Sequence, residues 1–229
     1  MKKALLTGHT RGFGNEILKV LLKNDWNVEG ISRTKTKRIL NLNSHQVDLS
    51  NLCELNNLFT KESSLNNDFN LIILNAGILG KIKPAVEIRN ESLIEILNIN
   101  FLANKTIIDK CLNQSDKPKK FILISSGAST KGYSGWLEYC CSKSIGDSMM
   151  RVYAREHKQH IFTSISPGAL NTEMQTLITN SDLEKLTDLK KFYDLKKNNS
   201  LRSPEEAANK FYELIEKLDN EMSGKFLKI

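Results

Sequence analysis

Short apolar runs alternate with amphipathic helical patterns along the whole chain, and that alternation limits the fold more than any single motif. Ala4-Leu5-Leu6, Val28 to Ser32, Leu71-Ile72-Ile73-Leu74, Phe121-Ile122-Leu123-Ile124, Ile161 to Ile165 and Lys225 to Ile229 read as strands. A run that is apolar at successive positions suits a parallel sheet, whose two faces are both covered by helices. The segments between place apolar residues three and four apart, as in Ile17, Leu18, Leu21 and Leu22, or Leu52, Leu55, Leu58 and Phe59. Further helical patterns cover roughly Asn90 to Gln114, Leu137 through Glu156, and a helix that runs to about Leu218. The last is opened by Ser203 as cap, with Pro204 at its first position and Glu206 at the third. There is no repeat, linker or break in the alternation. The expectation is an α/β fold: one doubly wound parallel sheet in three αβα layers, a single domain over residues 1–229.

Two stretches depart from the pattern. Thr34 to Asn43 is short and poor in apolar residues, so the second crossover is expected to be a single turn or a loop before a strand ending at Gln46-Val47. The stretch from Asn171 to Ser200 is polar, long and weakly helical, and segments of that kind are usually lids or disordered. A substrate lid is expected at about 171–200. Its Met174, Leu177, Ile178, Leu183, Leu186, Leu189 and Phe192 could face an apolar substrate or equally pack the lid onto the body. Tyr133 and Trp136 are open to the same two readings.

The first strand runs straight into Thr7-Gly8-His9-Thr10-Arg11-Gly12-Phe13-Gly14, followed by a helix. Strand, glycine turn and helix make a Rossmann-like phosphate site, where backbone N–H groups approach a pyrophosphate at the positive helix N-terminus. The spacing Gly-x-x-x-Gly-x-Gly differs from the usual Gly-x-Gly-x-x-Gly. NAD-binding folds place a carboxylate at the end of the second strand to hold the ribose 2′-hydroxyl. Here Ser32 and Arg33 stand there, and Glu29 comes too early. A 2′-phosphate suits an arginine fork, and Arg11 can add a second positive charge. NADP(H) is therefore expected over NAD(H), with solvated arginines as the alternative. Asp48, beside Leu49, could bond the adenine amino group or cap the helix starting near Asn51. Asn75-Ala76-Gly77 supplies small residues where a strand's carboxyl end meets a cofactor. Asn98 and Asn100, flanked by Ile99 and Phe101, suggest a buried hydrogen-bonding task.

Tyr139 and Lys143 fall four apart in the Leu137–Glu156 pattern and so share a helix face. An ammonium beside a phenol favours the phenolate, so the tyrosine is expected to lose its proton more easily than a free one and to serve as a proton donor to a carbonyl oxygen. A packed ring beside a solvated lysine is the bland alternative.

Together, Thr7-Gly8-x-x-x-Gly12-x-Gly14, Asp48, Asn75-Ala76-Gly77, Asn100, Ser126, Tyr139-x-x-x-Lys143 and Pro167-Gly168-x-x-x-Thr172 resemble the short-chain dehydrogenase/reductase family, in its order and over nearly the whole chain. Ser126 precedes Tyr139 by the family's usual thirteen residues. The resemblance implies an NADP(H)-type carbonyl reductase. Tyr139 would be the general acid, and Lys143 would lower its pKa and hold the nicotinamide ribose. Ser126, rather than Ser125, would bond the substrate carbonyl. Asn100 would hold a water linking Lys143 to solvent. Thr172, after Pro167 and Gly168, would contact the carboxamide, and Asn75 with Gly77 would line the cofactor. The chain ends Phe226-Leu227-Lys228-Ile229 without the family's Asp-Gly-Gly, which puts the tetramer in doubt. Among a homodimer and a homotetramer, a dimer through the helices around Asn100 and Tyr139 is expected.

Composition narrows the remaining classes. The four cysteines show no Cys-x-x-Cys spacing and read as reduced thiols of a cytoplasmic protein. His157 and His160 read as surface residues, and no metal site is expected. The net charge of +7 comes from scattered lysines and arginines, which fits an anionic ligand better than nucleic acid. No apolar run approaches a membrane span, and Met1-Lys2-Lys3 leads into a strand rather than a signal peptide. The leading function is NADPH-dependent reduction of a ketone or aldehyde to an alcohol. The alternative is a catalytically silent NADPH-binding sensor.

Overall fold

The computed structural model describes residues 2–66, 68–114, 117–179 and 187–229. Seven strands form one parallel sheet: β1 (Lys3–Thr7), β2 (Asn27–Ser32), β3 (Leu42–Gln46), β4 (Leu71–Leu74), β5 (Lys120–Ile124), β6 (Ile161–Ser166) and β7 (Phe226–Lys228). They lie in the order β3-β2-β1-β4-β5-β6-β7. The helices are α1 (Gly12–Lys23), α2 (Leu52–Lys61), α3 (Asn90–Leu97), α4 (Ala103–Leu112), α5 (Leu137–Glu156), α6 (Glu173–Thr179), α7 (Lys190–Lys197) and α8 (Pro204–Lys217). The order reverses between β1 and β4. In open parallel sheets of this kind, ligands bind at the carboxyl ends of the strands beside that reversal.

Successive strand residues face opposite layers, which is why the runs are apolar throughout. Leu5, Ile72 and Leu123 pack with Leu55, Ile107 and Met150 on one face. Leu6, Ile73 and Ile122 pack with Ile17, Leu21, Phe211 and Ile215 on the other. Local signals set the ends of the helices. The Asn51 side chain caps α2 by accepting from Glu54 N–H at 3.1 Å, and Ser203 caps α8 by accepting from Glu206 N–H at 3.0 Å. Asp48 is not the cap of α2; its Oδ1 accepts from Ser50 N–H two residues on, at 2.9 Å. No helix among the described residues is long and apolar enough to cross a membrane.

The second crossover holds no helix. On the sheet face shared by Val28 and Leu42, a side chain from the glycine turn takes the uncovered place. His9 is wholly buried and its ring lies on β2, so close to Gly30 that a Cβ there would sit 2.7 Å from the ring. Its Nε2 is 3.1 Å from Ser44 Oγ on β3. On the other face Glu29 binds inward, its carboxylate taking His45, Asn43 and Ser64 at 2.7, 2.9 and 3.0 Å.

Three expectations are corrected. His160 is buried, its Nδ1 accepting from Lys119 N–H at 3.2 Å and its ring edge-on to Phe121, because it closes the core under β5 and β6. The long helical pattern from Asn90 is interrupted by a π turn at Asn98–Leu102. On either side of residues 180–186, the stretch after Asn171 forms α6 and α7, where Ile178, Leu189 and Phe192 find apolar partners in Leu79, Ile96, Trp136 and Tyr139. Leu183 and Leu186 lie outside the described residues.

Candidate active site

The turns after β1 and β4 are locked together. Thr7 Oγ1 accepts from the N–H groups of Asn75 and Ala76, at 3.0 and 2.9 Å. The Asn75 amide donates back to the carbonyls of Thr7 and Gly8, at 3.0 and 3.2 Å. The approach is so close that a Cβ on Gly14 would overlap both the Gly8 carbonyl oxygen and the Asn75 amide. The first turn of α1 has no side-chain cap and no acidic residue. Its N–H groups thus stay available to a pyrophosphate, and the residues fit a dinucleotide.

The predicted cofactor residues separate into groups. Gly8, Thr10, Arg11, Gly12 and Gly14 line the turn. The side chains of Phe13 and Leu49 belong to the core, so these two can meet a ligand only through backbone. Ser32 is buried and donates to Thr34 O at 2.7 Å, while Arg33 is exposed at the strand end. Arg11 has a partner that the sequence did not announce: its Nη1 lies 2.7 Å from Glu173 Oε2 at the start of α6. Thr172, next to that glutamate, reaches the glycine turn, its methyl 3.6 Å from where a Gly12 Cβ would be. Pro167 and Gly168 form the turn from β6 towards it.

The predicted catalytic residues converge where β4 and β5 end and α5 begins. Ser126 closes the turn after β5, its Oγ accepting from Ala128 N–H at 3.2 Å and its hydroxyl reaching the Tyr139 phenol. Tyr139 is 7% exposed, with its ring edge-on to Trp136. Lys143 Nζ donates to Ile124 O at 2.7 Å and lies 5.6 Å from the Tyr139 ring centroid. It also borders Gly77, being 3.5 Å from where a Cβ there would be.

The π turn re-aims Asn100 inward, and its amide is fully engaged. Oδ1 accepts from Ile78 N–H at 2.9 Å, while Nδ2 donates to Ile78 O at 2.9 Å and to Ser142 Oγ at 3.0 Å. Its main-chain oxygen accepts from the Asn104 amide at 2.8 Å. Ser142 in turn donates to Tyr139 O at 2.9 Å. The β4–α3 loop is also clipped by the buried Glu138, which accepts from Lys81 N–H at 2.5 Å. Sequence reasoning missed His9, Glu138, Ser142 and Glu173. For Ser142 a signal existed, since it follows Tyr139 by three residues and so shares its helix face.

Electrostatics reverses one expectation. Burial pushes the Tyr139 phenol up to about 12, and the Ser126 contact only partly opposes it. Burial pulls the Lys143 ammonium down to about 8, with Asp147 opposing. The acidification expected from Lys143 is outweighed by burial, which is the largest influence on both groups. The arrangement still offers a protonated phenol beside a hydroxyl and an ammonium.

A family model described as short chain dehydrogenase matches residues 2–182. A benzil reductase ((S)-benzoin forming) of Bacillus subtilis is 33% identical over 230 residues, covering 95% of this chain and 94% of its own length. A protein of the same description from Bacillus cereus is 29% identical over 235 residues, with 94% of each covered. A solved short chain dehydrogenase/reductase from Saccharomyces cerevisiae shares the fold with a TM-score of 0.90 at 23% identity, covering 100% of this chain and 96% of that one. The chain belongs to the short-chain dehydrogenase/reductase family and is an NAD(P)-dependent oxidoreductase acting on carbonyl and alcohol groups.

Proposed function

We propose that the protein uses NADPH, in preference to NADH, to reduce one carbonyl of an aryl α-diketone to the α-hydroxy ketone. The observation that carries this is an aromatic wall beside the phenol. Trp136 is edge-on to Tyr139 at 5.9 Å and stacked with Phe192 at 4.8 Å, and Tyr133 packs on both. Such a wall suits a flat aryl substrate, and the related Bacillus proteins are benzil reductases.

Bound NADPH supplies the hydride. The glycine turn, from Gly8 through Gly14, holds the pyrophosphate, and Asp48 with Leu49 holds the adenine. Ser32 and Arg33 take the 2′-phosphate, with Arg11 as the second cation. Asn75, Ala76 and Gly77 line the cofactor, while Pro167, Gly168, Thr172, Tyr139 and Lys143 hold its nicotinamide half. Tyr139 delivers the proton to the carbonyl oxygen, and Ser126 donates a hydrogen bond to the charge that develops there. A phenol held near 12 is protonated at neutral pH, as an acid must be. With its side-chain amide engaged, Asn100 would hold the water that links Lys143 to solvent through its main-chain oxygen, on the lone pair that the Asn104 amide leaves. Residues 171–200 act as the lid. The protein is cytoplasmic and a homodimer, joined through α4 and the exposed Ile145 and Val152 of α5.

Consumption of NADPH with benzil tests the reading. Turnover that falls about 10²–10⁴-fold in Tyr139→Phe, with a Michaelis constant lower for NADPH than for NADH, is expected. Tight NADPH binding without turnover of any diketone would return the silent-sensor reading. Light scattering behind gel filtration tests the dimer, and a monomer at micromolar concentration overturns it.

A further inference from the structure

Asp147 lies one helical turn beyond Lys143 on the buried face of α5. It is 5% exposed and Lys143 4%. Gly146, just before it, presses α5 onto β5, where a Cβ would stand 2.9 Å from Leu123 Cδ2. The helix is therefore held against the sheet at this point, and the carboxylate with it. Asp147 Oδ1 is buried and has no hydrogen-bond partner. A carboxylate shielded from water with an unsatisfied oxygen is costly, and packing alone would favour an apolar residue here.

Lys143 has the complementary difficulty. It carries an ammonium into a buried site with the Ile124 carbonyl as acceptor. Gly77 from the β4 turn and Asn100 from the π turn border it, and neither titrates. Among the described residues, the titratable groups that bear on it are both on α5: Tyr139 through its ring, and Asp147 through its charge. We propose that Asp147 is a positioning residue for the reduction: its buried carboxylate keeps Lys143 in the ammonium form and thereby sets the upper pH limit of activity. The inference rests on the reading of Lys143 as part of the catalytic site. Burial alone draws the ammonium towards neutrality in the working pH range, so loss of the opposing charge is felt there.

The test compares the full-length enzyme with Asp147→Asn and Asp147→Ser. One arm records kcat and kcat/KM for benzil at saturating NADPH across the pH range. The other follows the Lys143 Cε signal of ¹³C-lysine-labelled protein without cofactor, assigned by its loss in Lys143→Arg. Wild-type activity should decline as pH rises through about 8. In either variant both that decline and the Lys143 titration should move down by about one pH unit. A merely structural carboxylate would instead lower the melting temperature and scale activity equally at every pH. Coincident normalised profiles, an unmoved Lys143 titration, or failure of both variants to fold each overturns the proposal. Absence of benzil turnover in the wild type overturns the reductase reading alone, because the Lys143 titration still decides the role of Asp147.

Discussion

Removing the Asn100 side chain should loosen the fold as well as the chemistry. In Asn100→Ala three hydrogen bonds disappear together: from Ile78 N–H at 2.9 Å, to Ile78 O at 2.9 Å and to Ser142 Oγ at 3.0 Å. A neutral hydrogen bond contributes about 0.5–1.5 kcal/mol net, and stranding a buried partner costs about 1–3 kcal/mol. Two circumstances reduce the sum. Ile78 is half-buried, so water can reach part of what is lost, and Ser142 keeps its own donation to Tyr139 O. The expected cost is about 2–3 kcal/mol, or roughly 5–10 °C in melting temperature for a domain of this size. Calorimetry or urea unfolding followed by circular dichroism measures it. Asn100→Asp is isosteric and should be no better, since it sets an oxygen against the Ile78 carbonyl or the Ser142 hydroxyl. If Asn100 worked only through a bound water, turnover would fall while the melting temperature stayed within about 1 °C of wild type. That result would refute the clamp.

Three further outcomes follow from single contacts. Gly14→Ala pushes a methyl into the Gly8 carbonyl and the Asn75 amide; a loss of about 1–3 kcal/mol in urea unfolding, with weaker NADPH binding by fluorescence titration, is expected, and a wild-type midpoint would contradict it. Burial lowers the pKa of His9 below its ordinary 6.5, so the unfolded chain binds a proton that the folded one refuses. This contribution is present above pH 6.5 and lost as pH falls below it, so urea midpoints should drop from pH 7.5 towards 5.5 and drop less in His9→Gln; equal slopes would sink the idea. Glu173→Gln frees Arg11 from an exposed ion pair. The Michaelis constant for NADPH should then fall about two- to fivefold, the scale of a surface pair, and that for NADH should not; equal changes would show that Arg11 does not discriminate.

Much of this was written locally in the chain. The runs Leu71–Leu74 and Phe121–Ile124 could only be buried strands, and Ser203-Pro204 opens α8 where expected. The glycine turn and the Tyr139–Lys143 pair could be picked out as candidates because each is a pattern within a few residues, whereas Ser126 came only from the resemblance. What the sequence hid depends on distant parts. His9 reads as a turn residue until β2 and β3 are seen to lack a covering helix. Arg11 pairs with a glutamate 162 residues away. His160 reads as exposed because its partners Phe121 and Phe162 become neighbours only when β5 and β6 pair. The segment after Asn171 looked weakly helical by propensity; tertiary packing of Ile178, Leu189 and Phe192 overrides that.

The raised pKa of Tyr139 bears on which protonation state the reaction starts from. Spacing alone gives the distance along the helix, and from it an acidified phenol. The fold adds burial, which penalises phenolate and ammonium alike. Reduction needs a donor that still holds its proton when the oxygen becomes negative, and a phenol near 12 holds it across the physiological range. By microscopic reversibility the oxidation of an alcohol passes through the same phenol and the same lysine, so the net direction is set by the cofactor and substrate pools and not by these two groups. At neutral pH the phenol thus holds the proton that reduction consumes. Ser126, which pulls the phenol down, and Asp147, which holds the ammonium up, are the two side chains that limit how far burial carries the pair.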